Sequence, residues 1–384
     1  MKEPPSSFHI MILAGEPSGD LHGANLVKNL KQLDPLLKIT GIGGDGMASQ
    51  GMELFFHINR LSVMGITEVL LQFRVIKEAF NSFRKKIITT RPDLLILIDY
   101  PGFNLRAAAF AKKSGVPVLY YITPKVWAWK RSRLKTIKRV VDHAALIFPF
   151  ESSIFKKEKI PSTFVGHPLL DYYPDTMVKD KRSKEQGFVM GLLPGSRETE
   201  ISALFETMVK SASIIRQRVG KIRFLVSAAP SVDHGRMERI MAPYNKENIF
   251  FLVKGPPQAI FESADLIVAA SGTVTLEAAI CGVPMIIVYK LSPLSFLIGR
   301  LFVQIRYVGL ANIIAGKEVA PELLQNDATP EKIADTAVSL FTAENLKRMG
   351  EKLLMVRKLL GGKGASLRTA RLAMEMLKKP SSFM

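Results

Sequence analysis

Four short polar clusters contain residue types that could bind an anion or move a proton. They are Gly15-Glu-Pro-Ser-Gly-Asp20, Asp99-Tyr-Pro-Gly-Phe-Asn104, Pro194-Gly-Ser-Arg197 and Ser271-Gly-Thr273. Each cluster directly follows an apolar run that predicts a strand, at 8–14, 93–98, 187–193 and 264–270. Because ligands of parallel α/β sheets bind beyond the carboxyl ends of the strands, these clusters are the first candidates for a functional site.

The last cluster continues into a helical pattern, as Ser271-Gly-Thr-Val-Thr-Leu-Glu277. A helix that starts here would present unpaired N–H groups to an anion. The Glu277 carboxylate, one turn on, could accept hydrogen bonds from the two hydroxyls of a ribose. A structural role fits the same residues, with Thr273 as the N-cap and Glu277 as a favourable first-turn charge.

Gly195, Ser196 and Arg197 open another predicted helix. Two amides beside a guanidinium suit a diphosphate, because arginine stays charged and can bind two oxygens at once. A solvated arginine at a helix start is the alternative. Asn312 is an amide within the apolar run 310–314, so if it is buried it needs partners from a ligand or from the backbone.

Asp99 ends a strand that otherwise consists of leucine and isoleucine after Asp93. A carboxyl group at the mouth of an apolar sheet could have a raised pKa and act as a general base. Capping of a helix that starts near Asn104, or a salt bridge at the sheet end, would explain the residue equally well. Asp93, at the other end of the strand, is predicted to be structural.

The sequence lacks the common signatures of cofactor and metal sites. Gly15, Gly19 and Gly23 do not have the spacing of a dinucleotide-binding loop, and there is no Walker A motif. Cys281 is the only cysteine and the six histidines are scattered, so neither a disulfide framework nor a zinc site is predicted. The residues themselves therefore favour neither an NAD-type cofactor nor a zinc site.

The elements between the clusters predict two α/β domains with parallel sheets, in which strands alternate with helices. Strands are predicted at 8–14, 38–42, 93–99, 116–121, 143–148, 162–165, 187–193, 222–228, 248–252, 264–270 and 283–288. Helices are predicted at 20–33, 66–90, 104–114, 130–140, 150–158, 199–218, 233–242, 256–262, 273–281, 330–341, 343–360 and 365–377. The predicted boundaries are an N-terminal domain at 1–170, a polar linker at 171–186, a C-terminal domain at 187–360 and a last helix within 361–384.

The net charge of +19 indicates an anionic partner, unless it only reflects a basic proteome or solubility. Two stretches of the sequence could form the surface that binds such a partner. The helical stretch 63–77 has more apolar residues than one buried stripe needs, which fits either core packing or membrane docking. The run from Lys125 to Arg139 interleaves tryptophans with cations, which suits lipid headgroups, a nucleic acid strand or a solvated face.

The chain reads as a cytoplasmic protein that could meet a membrane from the side. No run reaches the roughly 18 apolar residues that a membrane-spanning helix needs. The nearest run, 291–310, is interrupted by Arg300 and Arg306. The N-terminal apolar stretch, 8–14, is too brief for a signal peptide.

Taken in order, the motifs resemble those of the lipid-A-disaccharide synthase family from about residue 10 to the C-terminus. The matching motifs are Ala14-Gly-Glu-Pro-Ser-Gly-Asp-Leu-His22-Gly, Gly41-Ile-Gly-Gly44 with Met47, Val63-Met-Gly-Ile66, Ile98-Asp-Tyr-Pro-Gly-Phe-Asn104, Lys125-Val-Trp-Ala-Trp129, Val165-Gly-His-Pro-Leu169, Leu193-Pro-Gly-Ser-Arg-Glu198, Ser271 to Glu277 and Leu310-Ala-Asn312. Each motif alone would be weak, but their number and order are specific.

The resemblance implies a GT-B glycosyltransferase, with two Rossmann-like domains that face each other across a cleft and C-terminal helices that return to the N-terminal domain. It implies an acceptor site in the first half and a UDP site in the second. The family joins UDP-2,3-diacylglucosamine to 2,3-diacylglucosamine 1-phosphate, without a metal, at the inner face of the cytoplasmic membrane of Gram-negative bacteria. The last helix could pack on its own domain or on that of a second copy, which leaves a homodimer open.

The resemblance also implies roles for individual residues. Asp99 is the candidate base, with Glu16, Asp20 and His22 as runners-up. The expected UDP-binding residues are Gly195, Ser196, Arg197, Ser271, Gly272, Thr273, Thr275, Glu277 and Asn312. The residues expected to meet the membrane or the acyl chains are Val63, Met64, Ile66, Val69, Leu70, Phe73, Trp127 and Trp129.

Two other functions compete with this one. Another UDP-sugar enzyme of the same fold, such as an epimerase or the transferase that forms lipid II, would share the donor motifs. A non-enzymatic nucleic-acid-binding protein would use the charge of +19, but it would not need Asp99, Arg197 and Glu277 at strand ends. We therefore expect no nucleic acid partner.

Overall fold

The computed structural model describes residues 8–61, 69–127, 132–175, 187–290 and 306–378, with residues 69–73 described as backbone only. The chain forms two compact units. Unit 1 consists of Met1–Asp171 and Leu360–Met384, and unit 2 of Tyr172–Leu359.

Unit 1 is built on a seven-stranded sheet in which every described pairing is parallel. Its strands are β1 (His9–Ala14), β2 (Lys38–Gly43), β3 (Glu53–His57), β4 (Leu94–Ile98), β5 (Val118–Tyr121), β6 (His143–Leu146) and β7 (Ser162–Phe164). They lie in the order β3-β2-β1-β4-β5-β6-β7. β1 and β4 are buried along their whole length, because helices cover both faces of a parallel sheet and the strands are apolar on both sides.

Helices connect these strands. They are α1 (Pro17–Leu33), α2 (Asp45–Ser49), α3 (Val69–Thr90), α4 (Pro101–Lys113), α5 (Arg133–Val140) and α6 (Glu151–Lys157). Short 3-10 turns lie at Ile58–Arg60 and Pro168–Asp171. Phe83 of α3 and Ala107 of α4 belong to the core that these helices build on the sheet.

Unit 2 repeats the arrangement with six strands in the order β10-β9-β8-β11-β12-β13, again with parallel pairing. The strands are β8 (Phe188–Leu193), β9 (Ile222–Ala228), β10 (Phe250–Lys254), β11 (Leu266–Ala270), β12 (Met285–Tyr289) and β13 (Glu322–Leu324). The helices are α7 (Glu198–Val219), α8 (His234–Met241), α9 (Gln258–Ser263), α10 (Thr273–Cys281), α11 (Leu310–Ala315), α12 (Pro330–Leu340) and α13 (Ala343–Leu359). Two 3-10 turns lie at Ala242–Tyr244 and Gln325–Asp327.

The chain returns to unit 1 after α13. The amide of His167 donates to the carbonyl of Leu360 at 3.0 Å, and the Arg368 guanidinium donates to the carbonyl of Val165 at 2.7 Å. The last described helix, α14 (Ala365–Lys378), then packs against α1. The predicted fold class, two α/β domains with parallel sheets and a C-terminal helix on the first of them, is confirmed.

The differences from the predicted elements have local causes. Four short elements (β3, β13, α2 and α11) were not predicted, because the two strands mix polar with apolar residues and none of the four is longer than six residues. α4 begins at Pro101 rather than near Asn104, since proline is favoured in the first turn of a helix. None of the described helices is long and apolar enough to cross a membrane.

Gly41 provides a test of the central sheet. A Cβ at this position in β2 would lie 1.8 Å from the backbone carbonyl oxygen of Ile12 in β1. We expect Gly41→Ala to lower the free energy of unfolding by more than about 3 kcal/mol, since backbone in two paired strands would have to move. Gly235→Ala is the control, because its Cβ would meet its nearest atom, in Asp233, at an ordinary 3.4 Å. Chemical denaturation that gave the two variants equal stability would contradict this packing.

Candidate active site

In each sheet the order of strands reverses between two central neighbours, β1 and β4 in unit 1 and β8 and β11 in unit 2. Ligands of such sheets bind in the crevice at the carboxyl ends of these two strands. The four polar clusters follow these four strands. Each unit therefore gathers two of the clusters at its own switch point.

The two loops at the switch point of unit 1 touch each other. Ala14 at the end of β1 pairs with Ile98 at the end of β4, so Gly15 and Asp99 begin adjacent loops. A Cβ on Gly15 would lie 2.1 Å from Cδ1 of Tyr100, which means that only glycine leaves room for the ring.

Asp99 has a strained backbone that its neighbours hold in place. Asp99 and Tyr100 both have φ = 46°, in the left-handed region. The Asp99 carbonyl accepts hydrogen bonds from Asn104 Nδ2 at 2.7 Å and from the Tyr120 hydroxyl at 2.8 Å. Strain of this kind persists where surrounding bonds fix it, and it concentrates at functional sites.

The surroundings of the Asp99 carboxyl change its pKa. Burial raises its pKa, while the Lys125 ammonium and the Tyr100 amide partly offset the rise. The alternative that Asp99 caps α4 is wrong, because Tyr100 occupies the N-cap position.

Three residues around Asp99 were not predicted as site residues, namely Lys125, Asn104 and Tyr120. Asn104 had a signal, since it is a polar residue on the buried, alanine-rich side of α4.

Asp20 holds a loop in the described structure. Its two carboxylate oxygens accept hydrogen bonds from the amides of Gly44 at 2.7 Å, Gly46 at 3.0 Å and Met47 at 3.1 Å. The carboxylate thus supplies the N-terminal cap of α2, whose N-cap residue, Gly44, has no side chain. This structural role makes Asp20 the weakest of the predicted alternatives to Asp99.

Glu16 and His22 lie in the same region of unit 1. Glu16 is exposed at the N-cap position of α1, ahead of Pro17. Burial lowers the pKa of His22 to about 4, so its imidazole is neutral at neutral pH. Of these two runners-up, only Glu16 has an exposed side chain.

At the switch point of unit 2, the turn before α7 already binds an internal anion. Glu200 Oε2 accepts hydrogen bonds from the amides of Ser196 at 3.0 Å and Arg197 at 3.3 Å. Its other oxygen lies 3.1 Å from Nη1 of Arg197, whose side chain is 73% exposed. A phosphate at the Gly195–Arg197 turn would compete with this carboxylate, a feature that the sequence did not reveal.

The second turn of unit 2 leads into α10. Gly272 is the N-cap residue and Thr273 the first helical residue, so the alternative with Thr273 as the N-cap is wrong. Both residues are exposed, and a Cβ on Gly272 would meet nothing within 4 Å. The Ser271 hydroxyl donates to the carbonyl of Val308 at 3.2 Å, while the buried Thr275 hydroxyl donates to that of Gly272 at 2.8 Å. The open position is therefore the backbone at Gly272 and Thr273.

Glu277 lies half-buried one turn into α10. Its Oε2 accepts a hydrogen bond from the Tyr173 hydroxyl at 2.8 Å. Burial raises the pKa of the Glu277 carboxyl, and the bond from Tyr173 opposes that rise. The carboxylate has lone pairs left for further donors.

Asn312 is fully buried and holds a loop together. Its amide nitrogen donates to the carbonyl of Ala320 and to Glu322 Oε1, both at 2.8 Å. Its oxygen accepts from the amides of Val319 at 2.7 Å and Ala320 at 3.0 Å. These bonds use all of its hydrogen-bonding positions. In this conformation Asn312 therefore holds the loop that follows α11 and offers no free group to a ligand.

Most residues predicted to meet the membrane cannot be placed. Val63, Met64, Ile66 and Trp129 lie outside the described residues, as do the side chains of Val69, Leu70 and Phe73. Trp127 is half-buried, and its ring packs edge-on against Phe148 at 6.0 Å and Phe150 at 5.1 Å between centroids. Its indole is thus part of an aromatic cluster of unit 1.

Within the described ranges, no group of three or more histidine, cysteine, aspartate or glutamate side chains could hold a metal ion.

The family model described as Lipid-A-disaccharide synthetase matches residues 10–373. A lipid-A-disaccharide synthase of Geobacter sulfurreducens is 42% identical over 380 residues, which cover 97% of this chain and 98% of the relative. The chain belongs to the lipid-A-disaccharide synthase family. It is accordingly a glycosyltransferase of lipid A biosynthesis that acts on lipid-linked substrates.

Solved structures show the same fold at low sequence identity. A putative UDP-N-acetylglucosamine 2-epimerase from Listeria monocytogenes is similar with a TM-score of 0.67 at 13% identity, over 98% of both chains. MurG from Acinetobacter baumannii is similar with a TM-score of 0.64 at 14% identity, over 96% of this chain and all of that one. The GT-B fold predicted for this lipid-A-disaccharide synthase family member is confirmed.

The structural role of Asp20 can be tested directly. We expect Asp20→Ala to lower the free energy of unfolding by about 1–3 kcal/mol, because three backbone amides would lose a charged acceptor. Glu16→Ala, which removes an exposed carboxylate from the same loop, should change it by less than about 0.5 kcal/mol. Equal denaturation midpoints for the two variants would rule out the capping role.

Proposed function

We propose that the enzyme transfers the diacylglucosaminyl group of UDP-2,3-diacylglucosamine to the 6-hydroxyl of 2,3-diacylglucosamine 1-phosphate. The products are the β-1,6-linked tetraacyl disaccharide 1-phosphate and UDP. The family and the fold support the reaction class. The placement of Asp99 at the switch point of unit 1 carries the proposed mechanism.

In this mechanism Asp99 accepts the proton of the acceptor's 6-hydroxyl as the oxygen attacks. A bond forms between that oxygen and the anomeric carbon of the donor, while the bond from this carbon to the diphosphate oxygen breaks. The electron pair leaves with UDP. Attack opposite the leaving group inverts the anomeric configuration. Burial raises the pKa of Asp99 toward the operating pH. A general base works best when its pKa is close to that pH.

Unit 2 provides the groups that suit the donor. Arg197 and the N-terminus of α10 at Gly272 and Thr273 would stabilise the charge that develops on the diphosphate. The diphosphate would displace the Glu200 carboxylate from the amides before α7, exchanging one anion for another. Glu277 would accept hydrogen bonds from the ribose hydroxyls. Charge stabilisation by these groups alone, with no metal or cofactor, is part of the proposal.

The acyl chains of both substrates support a peripheral position at the inner face of the cytoplasmic membrane. Arg74, Lys77 and Lys85 are exposed on α3 and line one shallow surface groove. Glu78 in the same groove is paired with Arg60 at 2.7 Å. The groove thus has net positive charge, which would attract anionic lipid, and its Arg74 and Lys77 belong to the stretch predicted to dock on the bilayer.

The base role predicts a defined loss of turnover. Asp99→Asn should lower kcat by about 100-fold or more, because removing a general base costs that much. In the wild type, kcat/KM should fall as the pH drops through the raised pKa of Asp99, and Lys125→Gln should move this acid limb to higher pH. Turnover is measured from UDP release with both diacylglucosamine substrates.

Asp93→Asn is the matched control, since Asp93 lies at the opposite end of β4 and accepts a hydrogen bond from the His9 amide at 2.8 Å. It should reduce stability and leave the turnover of the folded enzyme nearly unchanged. Near-normal turnover of a folded Asp99→Asn variant would refute the role of Asp99 as the base.

The membrane position predicts a charge-dependent association with vesicles. Each lysine near an anionic surface contributes about 1 kcal/mol, so Lys77→Gln with Lys85→Gln should weaken binding to phosphatidylglycerol-containing vesicles about 30-fold. Lys347→Gln with Lys352→Gln, on the exposed side of α13 in unit 2, removes the same charge and should have little effect. Co-sedimentation that showed equal losses for the two pairs would exclude α3 as the docking surface.

A further inference from the structure

A buried tyrosine from the start of unit 2 contacts the carboxylate proposed to hold the ribose. Tyr173 lies two residues after Asp171, where the first segment of unit 1 ends, and 104 residues before Glu277 in the sequence. Its hydroxyl donates to Glu277 Oε2 at 2.8 Å. Only 7% of Tyr173 is exposed, so this contact is largely shielded from solvent.

The tyrosine is anchored independently of this hydrogen bond. Its ring packs against Phe261 of α9 with 6.4 Å between centroids. Two residues on, Asp175 pairs with Arg357 of α13 at 3.1 Å, and Arg357 also donates to the carbonyl of Ile280 in α10 at 2.9 Å. The position of the hydroxyl is therefore set by packing and by α13, and Glu277 accepts from a fixed donor.

We propose that Tyr173 is a positioning residue that orients the Glu277 carboxylate for the ribose of the donor. A carboxylate has about four lone-pair positions, so one bond from Tyr173 restricts the rotation of the group and leaves acceptors for both ribose hydroxyls. A carboxylate that is held in place loses less conformational entropy on binding than one that is free to rotate. The inference rests on the proposed role of Glu277 and adds the residue that makes its geometry specific.

The same bond also affects the pKa of the carboxyl group. Burial raises the pKa of Glu277, and the Tyr173 hydroxyl lowers it again by donating to the charged form. Glu277 also faces the thiol of Cys281, whose pKa burial raises to about 12. Among the described residues, Arg357 lowers the pKa of the same thiol and Glu262 raises it. Loss of the tyrosine hydroxyl should therefore raise the pKa of Glu277 further, and ionised Glu277 would require a higher pH.

The test compares the affinities of UDP and 2′,3′-dideoxy-UDP between pH 5 and 8 by calorimetry. The two nucleotides share the base and the diphosphate, so the ratio of their affinities isolates the ribose hydroxyls. In the wild type the ratio should fall as the pH drops through the pKa of Glu277. Tyr173→Phe keeps the ring and removes the hydroxyl. It should lower the ratio at pH 7 about tenfold, as loss of a hydrogen bond to a charged group does, and shift the fall to higher pH.

The control is Tyr244→Phe, which removes the same atom from a tyrosine at the edge of the unit 2 core and should leave the ratio unchanged. Glu277→Gln separates the two claims. If it keeps the full ratio, Glu277 does not bind the ribose and the proposed donor site is wrong. If it abolishes the ratio while Tyr173→Phe changes neither the ratio nor its pH dependence, only the positioning role is overturned.

A double variant guards against a general packing effect of the tyrosine substitution. Adding Tyr173→Phe to Glu277→Gln should cause no further loss of UDP affinity, because the hydroxyl acts through the carboxylate. Additive losses in the double variant would mean that Tyr173 acts through the packing of α9 instead, and would also overturn the positioning role.

Discussion

Hydrogen bonding between two parallel central strands brings distant loops to one edge in each unit. β1 and β4 are about 80 residues apart in the sequence, and β8 and β11 about 70, but their carboxyl ends lie side by side. The strand order reverses at both places, which leaves a crevice where the chain departs in opposite directions. The strained backbone of Asp99, the Gly15 contact with Tyr100 and the start of α10 all depend on this alignment.

Some polar groups at these edges form hydrogen bonds within the protein, whereas others could bind a ligand. Asp20 accepts hydrogen bonds from backbone amides of its own unit, and Asn312 bonds to backbone groups and to the Glu322 side chain of its own unit. The Glu200 carboxylate occupies the amides before α7, and a phosphate could exchange with it. In the proposed mechanism Asp99 and Glu277 are the carboxylates that meet the substrates, and contacts with neighbouring residues hold both of them. Such a division suits a glycosyltransferase, because its few reactive groups must be held still by many others.

Much of this arrangement could be predicted from sequence because it is encoded locally. The apolar runs before Gly15, Asp99, Pro194 and Ser271 predict the four strands, and the parallel architecture then places the polar residues at their carboxyl ends. Helix boundaries followed from the same patterns to within a few residues. The short strand β13 has no such pattern and gains its stability from pairing with β12.

The partners of the site residues could not be predicted, because they are distant in the chain. Asp20 caps a helix 24 to 27 residues away, and Tyr173 reaches Glu277 across 104 residues. Asn312 appeared to be a ligand contact because a buried amide needs partners, and a loop eight residues on supplies them. A sequence shows that a buried polar residue needs hydrogen-bond partners, whereas only the fold shows which residues these partners are.

The most direct test of the central claim is the structure of the product formed by the purified enzyme. UDP-2,3-diacylglucosamine labelled with ¹³C at the anomeric carbon is incubated with 2,3-diacylglucosamine 1-phosphate, and the product is examined by NMR and mass spectrometry. We expect one tetraacyl disaccharide 1-phosphate for each UDP released, with a β linkage to the 6-oxygen of the acceptor. An α linkage, or UDP released without a disaccharide, would contradict a single inverting displacement assisted by Asp99.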